Sequence, residues 1–206
     1  MLYSVLADIS EISNEQVCLL RNRIDHFFSD KKTLKRKESV CAKALLSDIL
    51  KSEFGLTDFN VLCDKNGKPY IENSTLHFNL SHSGDSVICL CGTEKVGCDI
   101  QTMCEYKEKV AKRFFTENEY NFLCESDEKE LDFTRIWTMK ESILKYHGEG
   151  LSGGLSSYDF SGYVKKDSFE AYGLKFNLSV KGEYVICICS ETDDIQFVTE
   201  SDYWQC

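Results

Sequence analysis

The strongest constraint on this chain is that it contains part of itself twice. Leu76 to Cys91 reads LHFNLSHSGDSVICLC, and Leu174 to Cys189, 98 positions later, reads LKFNLSVKGEYVICIC. Ten of the sixteen positions are identical without a gap, where average composition gives about one. Each copy holds an F-N-L-S run, a glycine (Gly84 or Gly182) and a V-I-C-x-C run, which is the pattern of an antiparallel hairpin. A fainter echo pairs Ile49-Leu50-Lys51 with Ile143-Leu144-Lys145, each near the end of a helical pattern and running into Gly-Leu at 55–56 and 150–151. The chain of 206 residues therefore reads as two similar halves, residues 1–100 and 101–206. Apolar residues recur at three and four over roughly 13–28, 35–54, 104–125 and 129–147, so each half combines a long helix with a hairpin. The expected fold is α+β, a pseudo-dimer whose halves each pack a hairpin-containing sheet on a helix as two α/β layers. Pro69 is the one proline, so no proline-rich linker separates the halves, and the seam between them is the natural place for a ligand cleft.

The copies differ where chemistry would sit. The first has Ser81-His82-Ser83 at the turn and the second Ser179-Val180-Lys181, so a histidine beside a hydroxyl survives in one half. Taken alone, His82 could equally be a hairpin residue with no task. Directly after the first hairpin comes Lys95-Val96-Gly97-Cys98-Asp99-Ile100-Gln101. Strand alternation puts Gly97, Asp99 and Gln101 on one face, which can offer oxygen ligands to a hard cation, and Gly97 allows another group to approach the backbone closely. In Ile136 to Lys145, Trp137, Glu141 and Lys145 are four apart and share a helix face. A glutamate and a lysine one turn apart can hold a metal and an anionic phosphate side by side, whereas as a surface ion pair they would contribute only about 0.3–0.5 kcal/mol.

Asn79-Leu80-Ser81-His82-Ser83-Gly84, Val96 to Gln101, and Trp137 to Ser142 with Lys145 together resemble the three ordered signatures of the Sfp-type 4′-phosphopantetheinyl transferases. Gly67-Lys68-Pro69-Tyr70-Ile71 and Arg113-Phe114-Phe115-Thr116 with Glu119-Tyr120 fit the same family. The resemblance covers about residues 67–151 and weakens back to about residue 30. It implies a pseudo-dimer of α/β halves with the cleft between them. It also implies Mg²⁺-dependent transfer of the phosphopantetheine arm of coenzyme A to a serine of an apo acyl or peptidyl carrier protein, releasing adenosine 3′,5′-bisphosphate. By position, Asp99, Gln101 and Glu141 would bind the metal and Lys145 would stabilise phosphate charge, with Asp99, Glu141, Lys145 and His82 as the catalytic set. His82 and Ser81 would meet the nucleotide's 3′-phosphate region, Lys68, Lys35 and Lys37 the remaining phosphates, and Glu119 would lie near the metal. The chain departs from the family where a D-x-E is usual: the third position is Gln101, a neutral and weaker Mg²⁺ ligand. A noncatalytic binder of coenzyme A or carrier protein in the same fold is the alternative.

Composition narrows the rest. A net charge of −10 argues against nonspecific nucleic-acid binding, which needs phosphate-neutralising cations. Within that acidic chain, Lys31 to Lys51 holds seven basic residues, while Glu191 to Cys206 holds five acids and no base. Such a local patch suits a small polyphosphate, or is simply a solvated helix face. No stretch reaches the roughly 18–20 apolar residues of a membrane span, and Asp8, Glu11 and Glu15 with no basic leader point to the cytoplasm; a monomer is expected. The eleven cysteines then read as thiols. The C-x-C pairs Cys89/Cys91 and Cys187/Cys189 put both sulfurs on one strand face as small apolar side chains, with a zinc site drawing on His26, His77, His82 or His147 as the lesser reading. Gly150-Leu151-Ser152-Gly153-Gly154 satisfies G-x-S-x-G, but it ends a helix instead of joining a strand to one, which speaks against a serine hydrolase.

Overall fold

The two copies of the repeated segment fold as hairpins with the same register. A computed structural model describes residues 1–148, 150 and 154–198. In it β4 (His77–Ser83) pairs with β5 (Ser86–Gly92), from His77↔Gly92 to Ser83↔Ser86. The second copy, β8 (Leu174–Lys181) and β9 (Tyr184–Ser190), pairs Lys175↔Ser190 to Lys181↔Tyr184, the same partners displaced by the repeat offset. Gly84 and Gly182 turn the two hairpins at φ +53° and +58°, a left-handed conformation that glycine adopts without a Cβ penalty. Each hairpin gains a third antiparallel strand on the same side, β1 (Leu2–Asp8) on β5 and β6 (Val96–Thr102) on β9.

Each sheet carries a helix. Val87, Cys89 and Cys91 of β5 face α2 (Lys37–Phe54) in a core completed by α1 (Asn14–Ile24). Val185, Cys187 and Cys189 of β9 face α5 (Lys129–His147). The C-x-C sulfurs therefore pack against helices as small hydrophobes, and the ten described cysteines are free thiols. Both long helices end on a left-handed glycine, Gly55 and Gly148, so the second cap stands two residues before the Gly150 of the echo. On their other faces the sheets meet each other: Leu2, Ile88 and Leu90 pack against Cys98, Ile100, Ile186 and Ile188. Burying an Ile or Leu contributes about 1.5–3 kcal/mol each, so this layer holds the halves together with the helices outside.

The first sheet has the order β10-β1-β5-β4 and the second β6-β9-β8-β7, where β7 is Ser168–Ala171 and β10 is Ile195–Val198. The sheets change over before β6, in the 93–95 turn, because β6 pairs with β9. The last described strand, β10, returns to run parallel to β1. A small ribbon of β2 (Val61–Cys63) and β3 (Pro69–Ile71) carries Gly67 and Lys68 in its turn. The 104–125 helical pattern is two helices, α3 (Glu108–Phe114) and α4 (Glu117–Glu125). They are divided at Thr116, whose side chain caps α4 while Glu119 reaches back to the Thr116 N–H. The first predicted helix also stops early, at Ile24. Among the described residues no helix is long and apolar enough to cross a membrane.

Candidate functional site

Asp99 stands on β6 facing α5, and Gly97 is what lets those two elements touch. A Cβ on Gly97 would lie 2.0 Å from the Ser142 carbonyl oxygen and 2.6 Å from the Tyr146 nitrogen. The close approach expected of Gly97 is thus to the helix that carries Glu141 and Lys145. The Lys145 Nζ donates to Asp99 Oδ1 at 2.6 Å and to Ser81 Oγ at 2.8 Å. Ser81 donates to the same Asp99 Oδ1 at 2.7 Å and accepts the Ile100 N–H at 3.3 Å, which uses every hydrogen-bonding position of its hydroxyl. The Gln101 amide donates to Asp99 Oδ2 at 2.8 Å. The Asp99 side chain is 2 % exposed and that of Lys145 28 %, so the cluster is a buried pair opening on one side to solvent.

Charge is tuned by this crowding. Burial, reinforced by the Asp99 carboxylate and opposed by Lys145, pushes the Glu141 carboxyl up to about 7. Burial alone would lower the Lys145 ammonium, but Asp99 first, then Cys98 and Glu141, outweigh it and hold its pKa above the ordinary value. Among the described residues the Glu141 carboxylate takes no hydrogen bond. Two carboxylates and an amide converge, the hard oxygen donors that Mg²⁺ selects, and a divalent cation would relieve the repulsion that raises Glu141. The donor set fits that ion once the Gln101 amide turns its oxygen inward. No group of three or more His, Cys, Asp or Glu side chains among the described residues has metal-holding geometry, so remaining ligands would come from substrate and water.

Strand alternation sends His82 to the opposite face of β4 from Ser81. There it lines a recess of about 200 Å³ with Phe28, Thr33, Lys43 and Pro69. A second recess of about 230 Å³, reaching Lys145, Lys68 and Asn79, shares Gly67, Pro69 and Leu80 with the first, so one groove runs from His82 to the charged cluster. Burial, with Arg36 and Lys145 adding to it and Glu38 opposing, lowers the His82 pKa. Of the seven basic residues from Lys31 to Lys51, Lys43 is the one that lines this groove, its ammonium bonded to Thr33 Oγ1 and set 4.9 Å over the Phe28 ring. Lys35 is exposed and Lys37 donates to the Ser10 carbonyl at 3.4 Å; neither lines the groove. Sequence reasoning passed over Lys43, although Ser39, Ala42 and Lys43 at helical spacing mark the face of α2 that lines the recess.

Lys68 is placed differently from its expected role. Its ammonium donates to the carbonyls of Lys145 and Tyr146 at 2.7 and 2.8 Å, capping α5, and burial and the Lys95 charge lower it to about 8. Glu119 does not join the Asp99 cluster. It is buried on α4, 2.8 Å from the Lys140 ammonium, and accepts the Thr116 and Phe160 N–H groups at 2.8 and 2.9 Å. Lys140 completes its three donors on the Leu155 and Tyr158 carbonyls. Because Glu119 closes the α4 capping box, its carboxylate is committed to structure. Trp137 stands over Phe114 and Phe115 and lines a separate groove of about 420 Å³ with Met103, Val110 and Phe133, which opens beside Gln101. In the G-x-S-x-G segment Leu151, Ser152 and Gly153 lie outside the described residues, as does the 199–206 part of the acidic Glu191-to-Cys206 stretch.

Residues 95–190 match the family model of the 4′-phosphopantetheinyl transferase superfamily (ACPS). A 4′-phosphopantetheinyl transferase of Bacillus subtilis is 32 % identical over 165 residues, 76 % of this chain and 70 % of the relative. The 4′-phosphopantetheinyl transferase Sfp of Bacillus subtilis (strain 168) is 36 % identical over 126 residues, 56 % of each. The 4′-phosphopantetheinyl transferase psf-1 of Bacillus pumilus is 29 % identical over 165 residues, 75 % of this chain and 71 % of the relative. The matches thus span from just over half to about seven tenths of the relatives' length.

Proposed function

Since the chain belongs to the 4′-phosphopantetheinyl transferase superfamily, we propose that it moves the 4′-phosphopantetheine arm of coenzyme A to a serine hydroxyl of an apo acyl or peptidyl carrier protein, releasing adenosine 3′,5′-bisphosphate. The observation that carries this reading is the meeting of Asp99 and Glu141 at Lys145, which itself lines the groove shared with His82. In the transfer, the serine oxygen bonds to the pantetheine-side phosphorus, the P–O bond to the nucleotide phosphate breaks with its electron pair leaving on adenosine 3′,5′-bisphosphate, and the hydroxyl proton passes to solvent water. Mg²⁺, held by Asp99, Glu141 and the turned amide of Gln101, would neutralise charge on the pyrophosphate. Lys145, kept protonated by Asp99, stands ready to exchange that partner for a phosphate oxygen as charge develops on the leaving group. Ser81 orients both of them. His82 and Lys43, with Lys35 and Lys37 further out, would receive the nucleotide's outer phosphate. Lys68 holds the end of α5 and can turn its third N–H to the groove.

The carrier protein would approach from the Met103 side, whose apolar groove ends beside Gln101. One chain supplies both halves of the cleft, which supports a monomer, and the free thiols support a reducing, cytoplasmic setting. The charge of −10 favours protein and small-molecule partners over nucleic acid, and the reading involves no membrane. Intact-mass spectrometry of apo carrier proteins incubated with this protein, coenzyme A and Mg²⁺ tests it. The carrier should gain the mass of one phosphopantetheine, and EDTA should abolish the gain. Tight coenzyme A binding with no carrier modified would establish the noncatalytic alternative instead.

A further inference from the structure

β4 and β6 are the facing edges of two different sheets, and their junction is made by side chains. On the edge of β6 away from β9, the N–H groups of Cys98, Ile100 and Thr102 donate to Asn79 Oδ1 at 3.1 Å, Ser81 Oγ at 3.3 Å and Ser83 Oγ at 2.9 Å. The offset is 19 residues at each rung, so the strands run parallel, with a hydroxyl or amide oxygen standing where a parallel sheet would use a carbonyl. Asn79 also takes the Cys98 thiol at 3.4 Å, and the Ser83 hydroxyl meets Thr102 Oγ1 at 3.0 Å. The second copy of the motif supplies a control. Asn177 and Ser179, the counterparts of Asn79 and Ser81, are exposed, and the outer edge of β8 pairs with β7 over Leu174–Asn177 through ordinary backbone bonds.

We propose that Asn79 and Ser83 are positioning residues: by gripping Cys98 and Thr102 they pin β6 on both sides of Asp99 and Gln101 and so set where those two ligands stand relative to Glu141 and the His82 groove. The inference rests on the reading of this cluster as a magnesium and coenzyme A site. Mg²⁺ tolerates little departure from octahedral geometry at about 2.0–2.1 Å, so a small slide of β6 weakens its binding, whereas the nucleotide end of the groove, lined from α2, β3 and the His82 face of β4 and by no residue of β6, is unaffected. Partners behind metal ligands typically change affinity by about 10–100-fold when removed.

Ser83→Ala, Asn79→Ala and the conservative Ser83→Thr test this by two measurements that need no turnover. Residue-resolved amide hydrogen exchange should show Cys98 and Thr102 protected in the wild type. Thr102 should lose protection in Ser83→Ala, Cys98 in Asn79→Ala, and β9 amides should keep theirs. Calorimetric titration of Mg²⁺ into the protein–coenzyme A complex should show about tenfold weaker binding in each alanine variant, with Ser83→Thr restoring the metal; in Ser83→Ala, whose side chain lies outside both recesses of the groove, coenzyme A affinity in EDTA should stay within twofold of wild type. Should Asn79→Ala fail to fold, Ser83→Ala at the turn end carries the same comparison. Wild-type Mg²⁺ affinity in a folded variant that has lost the exchange protection overturns the proposal, as do Cys98 and Thr102 amides that exchange freely in the wild type. A wild type that modifies no carrier counts against the transferase reading alone, and these two measurements still decide the seam.

Discussion

Asp99 gathers Lys145, Ser81 and Gln101 about one carboxylate, so its removal disturbs the proposed metal site, the cation and the strand together. Asp99→Ala and Glu141→Ala should each lower transfer by more than the about 100-fold upper range for an outer-shell partner, since one carboxylate cannot strip Mg²⁺ of its water. Gln101→Ala should cost about tenfold or less, and Gln101→Glu should reduce the Mg²⁺ needed for half-maximal rate by adding a charged ligand. A magnesium titration of initial rates separates the four variants; an Asp99→Ala enzyme with unchanged magnesium dependence would remove Asp99 from the site. Lys43→Ala should raise the KM for coenzyme A about tenfold, the loss of one charge-assisted hydrogen bond, and leave kcat alone. Lys35→Ala and Lys37→Ala should do less. At this scale the clustering of Asp99, Gln101 and Lys145 was legible because two simple periods, two on a strand and four on a helix, put the residues on single faces. Lys43 was not, because among seven basic residues only the fold tells which one lines the recess shared with His82.

Among the elements, α5 bears the most, clamped by Gly97 beneath, Lys68 at its end and the Glu119–Lys140 pair along its flank. Removing one side of a buried ion pair strands a charge, so Glu119→Ala should destabilise the protein by about 3–5 kcal/mol in denaturant unfolding. Gly97→Ala forces β6 from α5 and should cost about 1–3 kcal/mol or more. Asp159 fixes the segment after α5: its carboxylate accepts bonds from Ser161, Asn118 and Thr116, which outweigh burial and lower its pKa. A carboxyl lowered on folding adds stability that is present above its unfolded value, about 3.9, and is lost as pH falls through the folded value. The Tm advantage of wild type over Asp159→Asn should therefore be full at pH 6 and shrink below about pH 4. A difference that stayed constant down to pH 3 would deny Asp159 this role. The break between α3 and α4 was written in Thr116-x-x-Glu119, a capping box, but the apolar period runs through it and hid the stop. The same Glu119 resembled a metal-side residue because a motif records position along the chain and not the direction in which a side chain points.

For the whole molecule the duplication told most, since identical residues at a constant offset became identical registers in two hairpins. What it could not tell is how the copies join, because β4 meets β6 through side chains and β10 crosses back to β1. A chain ending at Asp194 should therefore lose stability in its first half; amide exchange in β1 should rise before exchange in β8 and β9, and unchanged protection in β1 would show that β10 contributes nothing there. The β1–β10 pairing also bears on how the protein is made. Leu2 finds Ile195, so β1, once translated, must wait until β10 has followed before one of its edges is covered. During that interval a nascent first half presents both the bare backbone of β1 and the unclaimed oxygens of Asn79, Ser81 and Ser83. Duplication supplied two copies of a fold, yet synthesis does not deliver two folding units: contacts of such long sequence separation are slow to form, and the first copy is an unfinished surface until the second has been translated.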